Sequence, residues 1–220
     1  MHRSKNSSLA KAGQHASEHE SIPARLQRIT HAAHTRINQH PMLAGLTKPG
    51  YPLRRYTNLL ARYFHIYTSI ERSIEQCIAG TALSLGYNKK LPWLINDLQY
   101  FGIDPEDPEH YPSCPLAFPL PANCGSLIGT LYAVEGATLG GQVISRHLRE
   151  TLALTSTTGA CFFNGYGDAL ETRRRWEEFG NVADSLIVTP EQRQLADESA
   201  LAVFELIERQ LDDCHAQPER

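Results

Sequence analysis

Histidine is the residue type whose placement in this chain first suggests chemistry. Six of the ten histidines lie before residue 41, and His34 falls at the edge of the apolar stripe of a predicted helix, four residues after Thr30. A neutral imidazole facing a pocket can ligate a metal ion whose other ligands come from elsewhere. A helical histidine is more often a core or surface residue, however, and no further histidine and carboxylate set with metal-site spacing surrounds this one. His34 is therefore a candidate ligand only in combination with other features.

Glycine is the second informative residue type. Gly136, Gly140 and Gly141 lie within six residues of a helical stretch that runs from Tyr132 to Val143. Each costs about 1 kcal/mol relative to alanine inside a helix, so three of them need a reason. Two reasons remain open, namely close packing against another helix and a flat ligand pressing on the backbone of a helix that kinks to make room. A phosphate-binding loop is excluded, because no strand precedes the glycines and no Gly-Lys-Ser/Thr follows them.

Composition excludes several classes of protein. The formal net charge of −3 provides no basic field for nucleic acid. We find no run of about 18 apolar residues, which a membrane span needs, and the polar N-terminus does not look like a secretory signal. The five cysteines show no Cys-x-x-Cys spacing, which argues against a disulfide framework or a zinc knuckle. The sequence predicts a cytoplasmic protein that binds neither nucleic acid nor membrane.

Helical periodicity dominates the chain and predicts one all-α domain at residues 21–213, between a mobile polar tail at 1–20 and a short polar tail at 214–220. A proline-rich loop is predicted between Gly102 and Cys124. The predicted helices run from a Ser21 cap to about Asn38, from Leu53 towards Gly80, from Leu91 to Tyr100, from about Asn123 to Glu150, from about Gly167 to Ser185, and from a Thr189 cap to about Asp213.

Four blocks, in this order along residues 21–212, resemble the haem oxygenase family: Leu26-x-x-x-Thr30-x-x-x-His34, the stretch from Tyr63 to Glu75, the stretch from Glu135 to Gln142, and Leu186-x-x-Thr189-Pro190 followed by Phe204. The third block is most similar to the bacterial branch whose members supply biliverdin to bacterial phytochromes. The resemblance implies a helical bundle that holds haem between the first helix and a kinked distal helix. His34 would be the proximal iron ligand, and the backbone at Gly136, Gly140 and Gly141 would lie over the haem.

The resemblance also implies further contacts. Tyr132 would hydrogen-bond a haem propionate, and Phe204 would form a wall of the pocket. Mammalian members have an aspartate where this chain has Ala137. A water network above the iron would therefore depend on backbone carbonyls and other polar side chains, such as Gln142.

The propionate contacts differ from those of mammalian members. Their basic residues match Gln27, His31, Trp176 and Gly180 in this chain. Arg28 is a substitute by charge alone, as are Arg25 and the run Arg173 to Arg175. A solvated helix face explains these arginines equally well.

The activity implied by the resemblance is oxidative cleavage of haem by O2 to biliverdin, carbon monoxide and ferrous iron. Electrons would come from an external reductase or ferredoxin, because the chain shows no flavin or nicotinamide motif, and a bacterial phytochrome is a possible acceptor of the biliverdin. Two alternatives stay open. One is a haem-buffering protein that has lost turnover. The other is a non-haem di-iron oxidase on a similar scaffold, for which the available residues are Glu71, Glu75, Glu135 and His147, none with Glu-x-x-His spacing.

Overall fold

The computed structural model describes residues 20–79, 86–107, 118–119 and 123–215. The predicted tail at 1–20 and the proline-rich loop fall largely outside these residues. Within the described ranges all regular elements are helices, which confirms the all-α prediction: α1 (Ile22–Gln39), α2 (Leu53–Ala79), α3 (Leu91–Tyr100), α4 (Cys124–Leu152), α5 (Cys161–Asn164), α6 (Ala169–Leu186) and α7 (Pro190–His215).

Side-chain caps explain where the long helices begin. The Ser21 hydroxyl accepts a hydrogen bond from the Ala24 amide at the start of α1. Asn123 and Ser126 exchange reciprocal hydrogen bonds at the start of α4. The Thr189 hydroxyl accepts from the Gln192 amide, 3.2 Å away, before Pro190 opens α7. The predicted starts of α1, α4 and α7 are therefore confirmed, whereas α7 continues to His215, two residues past the predicted end.

Helix α4 packs backbone to backbone against α7. A Cβ atom on Gly125 would lie 2.5 Å from the Gln192 carbonyl oxygen, and one on Gly129 would overlap the carbonyl of Ala196. Only glycine permits so close an approach. The first two glycines of α4 therefore serve helix packing.

Helix α1 is held against the bundle by its apolar stripe and by polar contacts near both ends, the one at the C-terminal end being the Arg36–Glu208 ion pair with α7. Leu26 is completely buried and Ala33 nearly so. The Arg25 guanidinium pairs with Asp197 of α7 at 2.6 Å, and the Ile22 amide donates to Asp184 of α6 at 2.6 Å. These contacts fix the face of α1 that carries the histidines. No helix in the described part of the chain is long and apolar enough to cross a membrane.

Candidate functional site

A cleft of about 640 Å³ lies among the helices, a size typical of small-molecule sites. All seven helices of the described chain contribute to its lining, with α1 and α4 supplying most of the residues. Two large apolar side chains of α4, Leu139 and Val143, line the cleft while remaining 39% and 52% exposed. An apolar ligand in the cleft would remove this surface from water, and the hydrophobic effect would favour its binding.

His34 lines the α1 side of the cleft. Its ring meets the Phe204 ring edge-on, with centroids 6.1 Å apart, and its Nδ1 lies 3.2 Å from the side-chain amide of Asn38. Burial, together with the charge of nearby His31, lowers the pKa of the His34 imidazole. The ring is therefore neutral at neutral pH, which is the protonation state that ligates metals.

Asn38 was not predicted from the sequence, although it lies one helical turn after His34 on the same face. The amide nitrogen of Asn38 faces Nδ1, and a flip of the amide would put its oxygen there instead. If the oxygen accepts from Nδ1–H, the Nε2 lone pair of His34 is left for a metal. Asn38 is thus in position to fix both the tautomer and the orientation of the imidazole.

The three distal glycines line the cleft but have different surroundings. A Cβ atom on Gly140 would meet nothing within 4 Å, and one on Gly136 would make an ordinary contact of 3.6 Å with the Trp176 ring. A Cβ atom on Gly141 would lie 2.8 Å from the Phe163 carbonyl oxygen. Gly140 therefore leaves open space in the cleft, whereas Gly141 permits close packing of α5 on α4.

Tyr132 joins the two main walls. It is 8% exposed and lines the cleft, and its hydroxyl lies 3.4 Å from the Thr30 hydroxyl of α1. Its ring packs against Trp176, with centroids 5.7 Å apart. Burial raises the pKa of the Tyr132 phenol, so the hydroxyl stays protonated and available as a donor.

Two residues predicted for the site lie outside the cleft lining. Gln142 points to α5, where its amide donates to the Asn164 carbonyl at 2.8 Å. Arg28 forms an exposed two-point ion pair with Glu20, with a shortest distance of 2.8 Å. Both side chains are held by partners outside the cleft lining, so the structure brings neither to the cleft.

Three of the other four candidate arginines are also paired with carboxylates. Arg25 pairs with Asp197, and Arg174 and Arg175 share Glu171. The side chains at the α1 edge of the cleft that match the mammalian basic positions are Gln27 and His31.

A buried polar cluster that sequence reasoning missed lies at another part of the cleft. Lys90 is 1% exposed and lines the cleft, and its ammonium group donates to Glu135 at 2.7 Å, the Tyr166 hydroxyl at 2.7 Å and the Asn88 carbonyl at 2.6 Å. Tyr166 in turn donates to Glu135. Burial lowers the pKa of Lys90, against the opposing effect of Glu135. Lys90 and Glu135 are 45 residues apart in the chain, and no local pattern links them.

The sequence model of the family described as "Heme oxygenase" matches residues 20–213 of this chain. The chain belongs to the haem oxygenase family. The family suggested by the four sequence blocks is thereby confirmed, although no curated protein sequence matches the chain.

Solved haem oxygenase structures share the fold. The enzyme from Neisseria meningitidis is 19% identical with a TM-score of 0.70, and covers 91% of this chain and 95% of its own. The enzyme from Leptospira interrogans is 18% identical with a TM-score of 0.71, covering 88% and 100%. Haem oxygenase-2 from Synechocystis sp. PCC 6803 is 18% identical with a TM-score of 0.70, covering 89% and 85%. At this identity the likeness establishes the haem oxygenase fold.

The four residues considered for a di-iron centre do not form one cluster in this haem oxygenase fold. Glu135 is paired with Lys90, while Glu71 accepts from the Tyr87 hydroxyl and from the Lys90 amide. Glu75 pairs with Lys89 on the surface, and His147 lies 3.9 Å from Glu150. The described residues contain no group of three or more potential metal ligands.

An aromatic wall completes the site of this haem oxygenase family member. Phe162 and Phe163 of α5 line the cleft, and the Phe162 ring lies 5.4 Å from that of Tyr63 and 5.1 Å from that of Tyr67. The Asp97 carboxylate holds this wall by accepting from the amides that begin α5, those of Cys161 at 2.6 Å and Phe162 at 2.8 Å. Burial raises the pKa of Asp97 to about 6, against the opposing effect of these hydrogen bonds.

Proposed function

We propose that this protein binds haem through His34 and cleaves it oxidatively to biliverdin, carbon monoxide and ferrous iron. The observation that carries the proposal is that one apolar cleft is lined by a neutral imidazole from α1 and by the open backbone at Gly140 of α4. Membership of the haem oxygenase family supports the same conclusion.

The residues present fit haem. Its macrocycle is flat and apolar, and Leu139 and Val143 offer exposed apolar surface beside the open space at Gly140. His34 would hold the iron, with Asn38 fixing its ring and Phe204 packing against the ring edge. One axial imidazole is sufficient on the protein side, as in other histidine-ligated haem proteins.

When bound, haem supplies the iron that binds O2 and the ring carbon that becomes oxidised. The role of the protein is to leave space beside the iron and to keep strongly acidic side chains away from it. The distal helix offers Ala137, Gly136 and Gly140 to the cleft, none of which has a side chain that can donate a proton. A proton donor at this place would compete with oxidation of the ring, so these three residues suit the proposed reaction.

The propionates would lie towards the α1 edge, near His31 and Gln27, with Tyr132 as a further donor. Arg28 is not assigned to the propionates, because it already forms an ion pair with Glu20. The His31 imidazole would donate a hydrogen bond to a propionate.

The proposal includes a separate electron-donor protein and a cytoplasmic location. Delivery of the biliverdin to a bacterial phytochrome is the role that the sequence of the distal block favours. The absence of a flavin or nicotinamide motif from the chain supports the need for an external donor.

The proposal is tested by incubating the purified protein with haem, oxygen and a reductase system, then identifying the pigment by chromatography. We expect biliverdin. The His34→Ala variant should keep the helical fold, lose the histidine-ligated absorption spectrum and lose turnover unless imidazole is added. His31→Ala should keep the histidine ligation and affect turnover much less. A stable haem complex that gives no biliverdin would favour the haem-buffering role, and ligation that survives in His34→Ala but not in His31→Ala would overturn the assignment of the ligand.

A further inference from the structure

The stretch of α4 that borders the cleft is not fixed by close backbone packing, unlike the parts of the helix on either side of it. Gly125 and Gly129 hold the first half of α4 against carbonyl groups of α7, and Gly141 holds the helix against α5. Between these points, a Cβ atom on Gly136 would make only an ordinary contact, and one on Gly140 would meet nothing within 4 Å. Side-chain contacts must therefore set the position of this stretch.

A buried ion pair holds the stretch through Glu135. The Glu135 carboxylate accepts hydrogen bonds from the Lys90 ammonium at 2.7 Å and from the Tyr166 hydroxyl at 2.9 Å. The ammonium also donates to the Tyr166 oxygen at 2.7 Å, so the three side chains form a closed triangle. Glu135 is 8% exposed and comes immediately before Gly136, yet it lies outside the cleft lining. It therefore acts on the glycine backbone without lining the cleft itself.

Lys90 is itself fixed at both ends of its side chain. Its backbone amide, just before α3, donates to the Glu71 carboxylate of α2. Glu71 also accepts from the Tyr87 hydroxyl at 2.6 Å. The Lys90 ammonium donates in addition to the Asn88 carbonyl at 2.6 Å. Through Lys90, the position of Glu135 on α4 is tied to α2.

A buried ion pair of this kind defines geometry more than it adds stability. The free energy lost when two charges leave water is comparable to the attraction between them, so apolar side chains of similar size often replace such a pair without loss of stability. Charge-assisted hydrogen bonds, in contrast, have preferred distances and directions. The pairing of Lys90 with Glu135 therefore restricts where α4 can lie relative to the start of α3.

We propose that Glu135, held by Lys90 and Tyr166, is a positioning residue that sets how far the backbone from Gly136 to Gly140 stands from the opposite wall of the cleft. Its effect on a bound molecule passes through the helix, because neither Glu135 nor Tyr166 lines the cleft. The role in turnover rests on the proposed function, in which haem occupies the cleft. A displacement of this backbone by about 1 Å would change the space beside the iron, and misplacement on that scale can lower a rate by about 100-fold.

The first test measures hydrogen exchange along α4 in the haem-free protein. It compares the wild type with the double variant Lys90→Met/Glu135→Leu and with Tyr166→Phe, which keeps the ion pair and removes only the hydroxyl. We expect amides at 136–140 to exchange about 10-fold faster in Tyr166→Phe, the scale of one lost hydrogen bond to a charged group, and faster still in the double variant. Amides at 127–131 should exchange as in the wild type.

Two results of this test would overturn the proposal. One is unchanged exchange at 136–140, and the other is an equal increase along the whole of α4, which a general loss of stability would produce. Tyr166→Phe decides the test alone if the double variant loses its helical circular dichroism.

The second test uses the haem complexes, and it measures the C–O stretching band of CO bound to the ferrous form together with the rate of biliverdin formation. The double variant should bind haem through His34 with nearly the wild-type affinity, shift the C–O band and form biliverdin up to about 100-fold more slowly. Tyr166→Phe should change the band and the rate in the same direction by a smaller amount. A wild-type rate in the double variant, or a loss of haem affinity as large as the loss of rate, would overturn the positioning role. A change in the double variant alone would also overturn it, by assigning the effect to the Lys90 side chain in the lining.

Lys89→Met is the matched control. Lys89 is the chain neighbour of Lys90 and likewise forms an ion pair, with Glu75 of α2, but both side chains are roughly half exposed and Lys89 lies outside the lining. This variant should leave the exchange of α4, the C–O band and the rate unchanged, and effects equal to those of the double variant would contradict the proposal. A wild type that binds haem but forms no biliverdin would contradict the proposed function and leave the exchange test intact, so the two failures are distinguishable.

Discussion

Replacing Gly140 by alanine separates the two reasons for a glycine in α4. Gly140 is helical, and a Cβ atom there meets no other atom within 4 Å. Alanine should therefore stabilise the haem-free protein by up to about 1 kcal/mol through helix propensity alone. For a chain of this size that is a rise of about 2–4 °C in melting temperature.

The same methyl group should harm the haem complex, because it projects into the space assigned to the ring and its distal ligand. Overpacking of a tight site costs about 1–3 kcal/mol. We expect Gly140→Ala to bind haem or O2 more weakly and to divert the reaction from biliverdin towards hydrogen peroxide or ferryl products. Absorbance titration measures the affinity, and chromatography of the reaction products measures the yield.

Gly141→Ala is the matched comparison, one residue along the same helix. Its Cβ atom would lie 2.8 Å from the Phe163 carbonyl oxygen, so this variant should lower the melting temperature of the haem-free protein. A Gly140→Ala protein with a lowered melting temperature and a normal biliverdin yield would refute the reasoning, since α4 would then not be the distal wall.

Three further predictions concern groups around the cleft. Lys90→Met should destabilise the protein by about 3–5 kcal/mol, because it leaves Glu135 buried without its counter-charge. Adding Glu135→Leu should recover most of this loss, as measured by urea unfolding. A double variant no more stable than Lys90→Met would contradict the prediction. Burial raises the pKa of Asp97 from 3.8 to about 6, so the protonated form is favoured by folding, and its contribution to stability should be complete below pH 4 and lost as the pH rises through 6. Relative to Asp97→Asn, the wild type should therefore lose up to about 3 kcal/mol of unfolding free energy between pH 4 and 7, and parallel curves for the two proteins would exclude the effect. A chain that starts at Ser21 should bind haem and turn it over like the full chain, and a weaker haem affinity would show that the tail contributes.

Much of the fold followed from local signals in the sequence. Two helix starts were predicted from a capping residue followed by a proline, Ser21 with Pro23 and Thr189 with Pro190, and the structure has helices starting there. They were predictable because caps and first-turn prolines act within a few residues. Helix α5 was missed. It spans only four residues, too few for periodicity, and Asp97 holds its first amides from 64 and 65 residues away.

The site was predicted less completely, for a similar reason. The sequence singled out His34, Tyr132, Phe204 and the three glycines, and the structure places all of them around one cleft. It could not tell that Gly140 meets open space while Gly141 meets a carbonyl, because that depends on distant neighbours.

The pairing and burial of charged residues likewise could not be predicted from the sequence. Nothing in the sequence links Lys90 to Glu135, and only the fold makes them a buried pair. Nothing in the sequence links Arg28 to Glu20, with which it forms an ion pair in the structure.

The backbone contact between α4 and α7 has a consequence for how a bulky ligand can reach the cleft. With Gly125 and Gly129 pressed against carbonyl groups, neither helix can slide or roll without forcing backbone into backbone. These two helices form a stiff frame. Helix α1, in contrast, is tied to its neighbours by polar contacts near both ends, those of Arg25 and the Ile22 amide in the first turn and the Arg36–Glu208 ion pair in the last, and these contacts can break and re-form. Admission of haem should therefore proceed by a swing of α1, which carries His34 away from the frame and brings it back as the iron ligand.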